Sequence, residues 1–347
     1  MAAPRPVRAR GLVASLVVSL VLAACSGATP SSSPASGAPP GPAASATTVP
    51  SVLPSPSPVA FPLTVTDDEG TAVTIPSLPS RIVSLTPATT ELLFALGLGP
   101  EQVGRTDSDD YPAAAKAVPV VATFSGVDDE KIVASGANLV LAGGNGFNPP
   151  ADIAKLRSLG IPVLVLYARD VQGVFDDIRL VGQATGAAGP ADQLAASMAQ
   201  QFDAIKTATS GVAHPPVFYE IDATSTIYTA ADQSFLAEMI SDAGGTPVTT
   251  GSTTDFSIPL EKLVAANPQM ILLGDAAYGT TVDQVKARSG WKTISAVQSG
   301  SIYPVDDVVI TRPGPRLVQG LLDLVSVIHP ELGLSPSSEP SLAPTAS

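Results

Sequence analysis

The stretch EKLVAANPQMILLG, residues 261–274, holds a helix, a stop and a buried strand in fourteen positions. Leu263 and Val264 give the first part an apolar face. Asn267-Pro268 ends it, because the residue before a proline is pushed out of helical backbone. MILL is a short continuous apolar run of the kind a strand buried on both faces requires. Upstream, EKIVASGANLVLAG, residues 130–143, repeats the pattern at an offset of 131 residues, with Glu-Lys at its head each time. The repeat predicts two matching lobes, each presenting one acidic residue to a partner.

Reading outward, FPLTVTDDEGTAVTI (61–75) alternates on both sides of Asp67-Asp68-Glu69-Gly70 and reads as a hairpin. RIVSL (81–85) is a short strand, and TPATTELLFALGLG (86–99) a helix with Thr86 as cap, Pro87 at its first position and Gly97 and Gly99 to end it. Strand and helix signals then alternate through NLVLAGG, ADIAKLRSLG and IPVLVLYARD. The pattern restarts at PVFYEI and runs through SFLAEMISDAGG, EKLVAANPQ, MILLGD and SIYPVDD. Such alternation implies parallel strands with helical crossovers, so each half is an α/β lobe. Between them GPADQLAASMAQQFDAIKTATSG (189–211) carries Leu194, Met198, Phe202 and Ile205 at helical spacing. It predicts a rigid interlobe helix that permits small lobe motions rather than a wide hinge.

The chain has 347 residues, 45% of them hydrophobic and 14% charged, enough to fill two cores. Its formal charge is -13. Setting aside Arg5, Arg8 and Arg10, expected to be lost in processing, leaves 15 basic against 31 acidic residues and a net -16. A chain this acidic, with no clustered Lys/Arg stripe, repels phosphate backbones, which excludes nucleic acid as a partner.

The beginning reads as an export signal. MAAPRPVRAR is basic, GLVASLVVSLVLAA is an apolar run of 14 residues, and LAAC ends at Cys25, the only cysteine. As a helix the apolar run rises about 21 Å, short of the roughly 30 Å a membrane span needs. Small residues before a lone cysteine resemble a bacterial lipobox, in which residues 1–24 are removed and Cys25 is diacylated; two acyl chains anchor stably where one does not. The expected location is extracytoplasmic, on the periplasmic side or cell surface, with membrane contact through the lipid only. Residues 25–60 are Pro, Ser, Ala, Thr and Gly and read as a disordered tether, spanning about 30 Å as a coil and up to about 110 Å as polyproline II. Residues 335–347 read as a disordered tail. The folded part divides into an N-terminal lobe at 61–188, the helix at 189–211 and a C-terminal lobe at 212–334.

The run RIVSLTPATTELLFALGLGPEQVG, DYP at 110–112, GVDDEKIVASGANLVLA, LRSLGIPVLVL, VFYEID, LEKLVAANPQMILL and RPGPRLVQGLLDLVSVIHPE, in that order, resembles the iron-siderophore and cobalamin class of periplasmic substrate-binding proteins of ABC importers. The resemblance covers about residues 61–334. It implies two Rossmann-like lobes joined by one long backbone helix, with the ligand cleft between them, and a monomer that captures a cobalamin-like or ferric-siderophore ligand for an ABC permease dimer. The family's docking glutamates match Glu130 and Glu261, which would meet arginine pockets on the two permease subunits through directional charge-assisted pairs. On the bare sequence, either glutamate could equally serve only to offset its helix dipole.

Ligand-facing candidates are Phe124, an aromatic position of the family, and Ser108, which stands where cobalamin binders carry tyrosine. Phe147, Tyr219 and Tyr278 follow buried runs, where cleft residues of α/β lobes sit, and could equally be packing. Arg312, ahead of PGPR, is a candidate cleft cation. A zinc or manganese receptor needs several imidazoles, and only His214 and His329 exist; both are assigned structural roles. Haem receptors of the family place tyrosine where Phe124 stands, which counts against haem. Asp107, Asp109 and Asp110 lack the glycine and distal glutamate of a calcium loop. Gly143 to Gly146 miss the third glycine of a dinucleotide fingerprint and read as a tight turn. With no nucleophile elbow, no phosphate loop and two badly placed histidines, no catalytic residue, cofactor or metal is assigned and an enzyme is not expected. A surface sensor that binds ligand without transport shares every feature but the permease, and haem or metal reception is the remaining alternative.

Overall fold

The computed structural model describes residues 59–336 except Phe124, so Cys25, all but the last two residues of the tether, all but the first two of the tail, and Phe124 lie outside the described residues. An antiparallel hairpin comes first, β1 (Leu63–Thr66) and β2 (Ala72–Ile75), with Leu63 opposite Ile75. Asp67 closes its turn by accepting the Thr71 N–H at 2.8 Å and ties it to the lobe through Arg157 Nη2, also at 2.8 Å.

The N-terminal lobe is built on six strands: β3 (Ile82–Ser84), β4 (Gln102–Thr106), β5 (Val120–Thr123), β6 (Gly126–Val127), β7 (Leu139–Gly143) and β8 (Val163–Leu166). Their order is β6-β5-β4-β3-β7-β8, and only the edge strand β6 is antiparallel. Helices α1 (Pro87–Ala95), α2 (Asp129–Ala134), α3 (Pro150–Ser158) and α4 (Val171–Thr185) belong to this lobe. Thr86 caps α1 by accepting the Thr89 N–H at 3.2 Å, with Pro87 at the first position as the sequence predicts. The connecting helix α5 runs over Ala188–Thr209, 22 residues and about 33 Å long. It begins one residue earlier than expected and holds Pro190 in its first turn, where a missing N–H costs no intrahelical bond.

The second sheet has four parallel strands, β9 (Pro216–Glu220), β10 (Thr246–Pro247), β11 (Met270–Leu273) and β12 (Ile302–Pro304), in the order β10-β9-β11-β12. Its helices are α6 (Phe235–Asp242), α7 (Leu260–Ala266), α8 (Val282–Ala287), α9 (Ser295–Ser299), α10 (Asp307–Thr311) and α11 (Leu317–Ile328). In chain order, β4-β3-β7-β8 and β10-β9-β11-β12 both read second, first, third, fourth. The sequence repeat is therefore a repeat of topology, in two separate sheets. Asn267 ends α7 in the left-handed region at φ 45°, ahead of Pro268.

Side chains along each strand alternate between two cores. Val140 and Ala142 of β7 join Val83, Ile153 and Leu156 on the outer face of the first sheet, and Phe218, Ile271 and Leu273 join Leu263, Trp291 and Ile294 on the outer face of the second. The inner faces feed one common core: Leu139 and Leu141 from the first sheet, Tyr219 and Leu272 from the second, and Phe175, Met198, Phe202, Leu321 and Leu324 from α4, α5 and α11 between them. Phe175 and Phe202 meet edge to face, ring centroids 5.7 Å apart, a geometry worth about 0.5–1.5 kcal/mol beyond its buried area. Gly182 lets α4 and α5 close, since a Cβ there would lie 2.2 Å from that of Ala191. Through these residues the lobes share an interior.

Candidate functional site: the seam at the carboxyl ends of the two sheets

Open parallel sheets present ligands with the loops at their strands' carboxyl ends. In the first lobe those loops hold Asp107–Pro112 after β4, Gly144–Pro149 after β7 and Tyr167–Asp170 after β8; in the second they hold Ile221–Ser234 after β9, Gly274–Thr281 after β11 and Val305–Asp306 after β12.

Beside these loops the two lobes meet through an ionic clasp between α1 with the β4 loop and the turn joining α10 to α11. Glu91, fifth residue of α1 and 1% exposed, accepts from Arg316 Nε at 2.9 Å and Nη2 at 2.6 Å, and from Arg312 Nη1 at 3.2 Å. Arg312 Nη1 also donates to Asp110 Oδ1 at 3.1 Å, and the Arg316 guanidinium lies 4.2 Å over the Tyr111 ring. Burial works to raise the Asp110 carboxyl, but the hydrogen bond and charge of Arg312 prevail and hold it below the usual carboxylate range. Beside the clasp the Pro313-Gly314-Pro315 turn sits on α1: a Cβ on Gly314 would be 3.4 Å from the Ala88 carbonyl oxygen. Farther along the seam Glu238 of α6 accepts the Val171 N–H of α4 at 2.8 Å.

Two exposed aromatics rise from this seam at equivalent places. Phe147 is 65% exposed after β7 and Tyr278 is 83% exposed after β11, and they stand 131 residues apart, the offset that separates Glu130 from Glu261 and Gly143 from Gly274. The glycines matter for them. A Cβ on Gly143 would lie 2.9 Å from the Phe147 ring, and one on Gly274 would lie 2.5 Å from the ring of Tyr219 beneath the Tyr278 turn.

Tyr219 itself corrects an expectation: it is 0% exposed, so it offers a ligand no surface. Its hydroxyl donates to Asp307 Oδ1 at 2.7 Å, and burial, with the Asp307 charge, pushes its pKa far up, while burial raises Asp307 too. It is a buried support for the loop that carries Tyr278. Arg312 does lie in the seam, but its charge is already engaged by Glu91 and Asp110. Ser108 is exposed in the β4 loop, its N–H 3.3 Å from Thr106 Oγ1. Asp109 next to it is structural, 1% exposed, accepting from Thr90 Oγ1 at 2.5 Å and from the Thr106 N–H and hydroxyl, and raised in pKa by burial.

At the end of β9, Glu220 is fully buried and held by both Arg288 nitrogens at 2.6 and 2.7 Å, with Arg288 4.7 Å over Trp291. Burial raises its pKa against that pairing. His329 is 3% exposed, with Nε2 3.0 Å from the Gly244 carbonyl and Nδ1 2.9 Å from Glu331, the structural role assigned to it. Among the described residues no cluster of three or more His, Cys, Asp or Glu side chains could hold a metal ion.

Glu130 and Glu261 are exposed, each the second residue of its short helix. The helix headed by Glu261 follows the parallel strand β10 through residues 248–259, whereas the helix headed by Glu130 follows directly on the antiparallel edge strand β6. Asp128 caps the first by accepting the Lys131 N–H at 3.0 Å; the second follows Pro259 with no side-chain cap. A groove of about 470 Å³ opens beside Glu130, lined by Val121, Gly126, Asp128 and Lys155 among others, away from the clasp.

Sequence reasoning missed Glu91, Arg316, Tyr111 and Asp110. The signal available was an acid inside TTELLFAL, at a helical position flanked by residues bound for the core.

Two duplicated α/β lobes with exposed aromatics at the carboxyl ends of both sheets define a ligand receptor of the bilobal kind. The periplasmic binding protein family model matches residues 82–309, and the chain belongs to that family. Its members bind rather than transform, and the chain is not an enzyme. It is 34% identical over 276 residues to an uncharacterized ABC transporter substrate-binding lipoprotein, YvrC, of Bacillus subtilis, covering 78% of this chain and 87% of the relative. It is 28% identical to a cobalamin-binding protein of Halobacterium salinarum, over 78% of this chain and 75% of the relative. Among solved structures it resembles the periplasmic heme-binding protein RhuT of Roseiflexus sp. RS-1 with a TM-score of 0.65, at 26% identity, covering 73% of this chain and 99% of that one. No helix among the described residues is long and apolar enough to cross a membrane.

Proposed function

We propose that this chain is an extracytoplasmic receptor, anchored by lipid at Cys25, that captures a cobalamin-like or ferric-siderophore ligand and delivers it to an ABC importer permease. The observation that carries the reading is the single 131-residue offset relating Phe147 to Tyr278 and Glu130 to Glu261. One pair offers a broad, partly apolar ligand an aromatic surface from each lobe. The other offers a two-subunit permease one carboxylate from each lobe, and two separated Arg-carboxylate contacts fix orientation as well as register. The relatives named above, one a lipoprotein of an ABC transporter and one a cobalamin binder, support both halves of the reading. The shared core between the lobes suits a receptor that changes little when loaded.

Trp291, the only tryptophan, is 3% exposed and makes a convenient reporter. Titration of the protein with cyanocobalamin, cobinamide, haemin and ferric hydroxamates, followed by Trp291 fluorescence and calorimetry, is expected to give saturable binding of a corrinoid or a hydroxamate chelate. Binding of none of them would overturn the reading. Phe147→Ala and Tyr278→Ala are each expected to weaken the same ligand about tenfold or more, since fully engaged aromatics are typical hot spots.

A further inference from the structure

The clasp sets the charge that a ligand meets in the seam. Arg312 and Arg316 are the cationic side chains that the C-terminal lobe brings to α1 and the β4 loop, and both are neutralised from the other lobe: Arg316 by both oxygens of buried Glu91, Arg312 by Glu91 and Asp110. The seam loops hold no lysine. Their remaining arginine, Arg169, shares a groove of about 310 Å³ with Asp68, Asp170 and Asp176. Asp107, Asp222 and Asp306 add exposed or half-exposed carboxylates from three further loops.

Apart from Arg169, whose groove also carries three carboxylates, an anionic ligand finds no unpaired cation in these loops to replace the water it gives up, and it meets carboxylates in several of them. A neutral or cationic ligand meets neither cost. Resting on the receptor reading above, we propose that Glu91, assisted by Asp110, is a specificity-determining residue: by holding both seam arginines it closes the site to anionic ligands, such as carboxylate-bearing porphyrins and ferric carboxylates, and leaves it to neutral or cationic corrinoids and hydroxamate chelates.

The test is calorimetry with two neutral probes, cyanocobalamin and a neutral ferric trihydroxamate, and two anionic ones, haemin and ferric citrate, on the wild-type protein, Asp110→Asn and Glu91→Gln. The wild type is expected to bind a neutral probe at least about tenfold tighter than either anion, and each variant to narrow that ratio several-fold by releasing arginine charge. Asp110 is an exposed carboxylate, so Asp110→Asn keeps the test alive should Glu91→Gln not fold. A wild type that prefers haemin or ferric citrate overturns the proposal while leaving the receptor reading standing. A ratio unchanged in the folded variants overturns it as well. Binding of none of the four probes takes both readings down together.

Discussion

The two lobes share one strand order but finish it differently. The N-terminal sheet adds β5 and the antiparallel edge strand β6, and its helix α2 begins Asp128-Asp129-Glu130, with Asp128 capping it and Asp129 paired to Lys155 Nζ at 2.5 Å. The C-terminal sheet stops at four strands, one of them two residues long, and its helix begins Pro259-Leu260-Glu261 with no side-chain cap. What survives in both is a glycine at or one residue past the end of the corresponding strand (β7, β11), an exposed aromatic four residues later, and a glutamate at the helix head. Packing details drift between the copies while the groups that face outward keep their places, which is the pattern expected when the repeat is held by what it contacts rather than by its own stability.

If the lobes act as one body, cutting the clasp should do the most damage. Glu91→Ala leaves two guanidinium groups in the seam without their buried partner, and breaking such a pair costs about 3–5 kcal/mol. Thermal unfolding should show a clear fall in Tm; an unchanged Tm would mean that the lobes are joined elsewhere. Next in size is the α4–α5 contact. Gly182→Val forces side-chain atoms into the space where even a Cβ would touch Ala191, and overpacking of this kind costs about 1–3 kcal/mol, readable in a denaturant titration. Smaller still is the difference between the two helix heads: Asp128→Ala should lower Tm measurably less than either change above, whereas Pro259→Ala removes no cap and should leave the C-terminal head as it was. Equal losses at both heads would erase the asymmetry described here.

The fold was largely legible because its signals are local. Thr86 and Pro87 start α1, Asn267-Pro268 stops α7, and apolar runs of four or five residues mark strands covered on both faces. The duplicated stretch told which strand and helix correspond. The site was legible only in part. Phe147 and Tyr278 stand where loop position after a buried run suggested, but the same rule misplaced Tyr219, because residue parity along β9 turns it into the common core. Arg312 was seen as a cation and not as half of a pair, since its partner Glu91 lies 221 residues away and no local pattern links them. Periodicity assigns faces; it does not reveal which charges meet across a seam.

The account turns on each lobe contributing one carboxylate to a shared partner while the ligand is held elsewhere. The direct test is uptake of the identified ligand by cells carrying Glu130→Ala, Glu261→Ala and the double variant, beside calorimetry on the same purified proteins. The account predicts unchanged ligand affinity and unchanged Tm in all three, reduced uptake in each single variant and none in the double. Full uptake by the double variant, or a loss of ligand affinity that accounts for lost uptake, would contradict it.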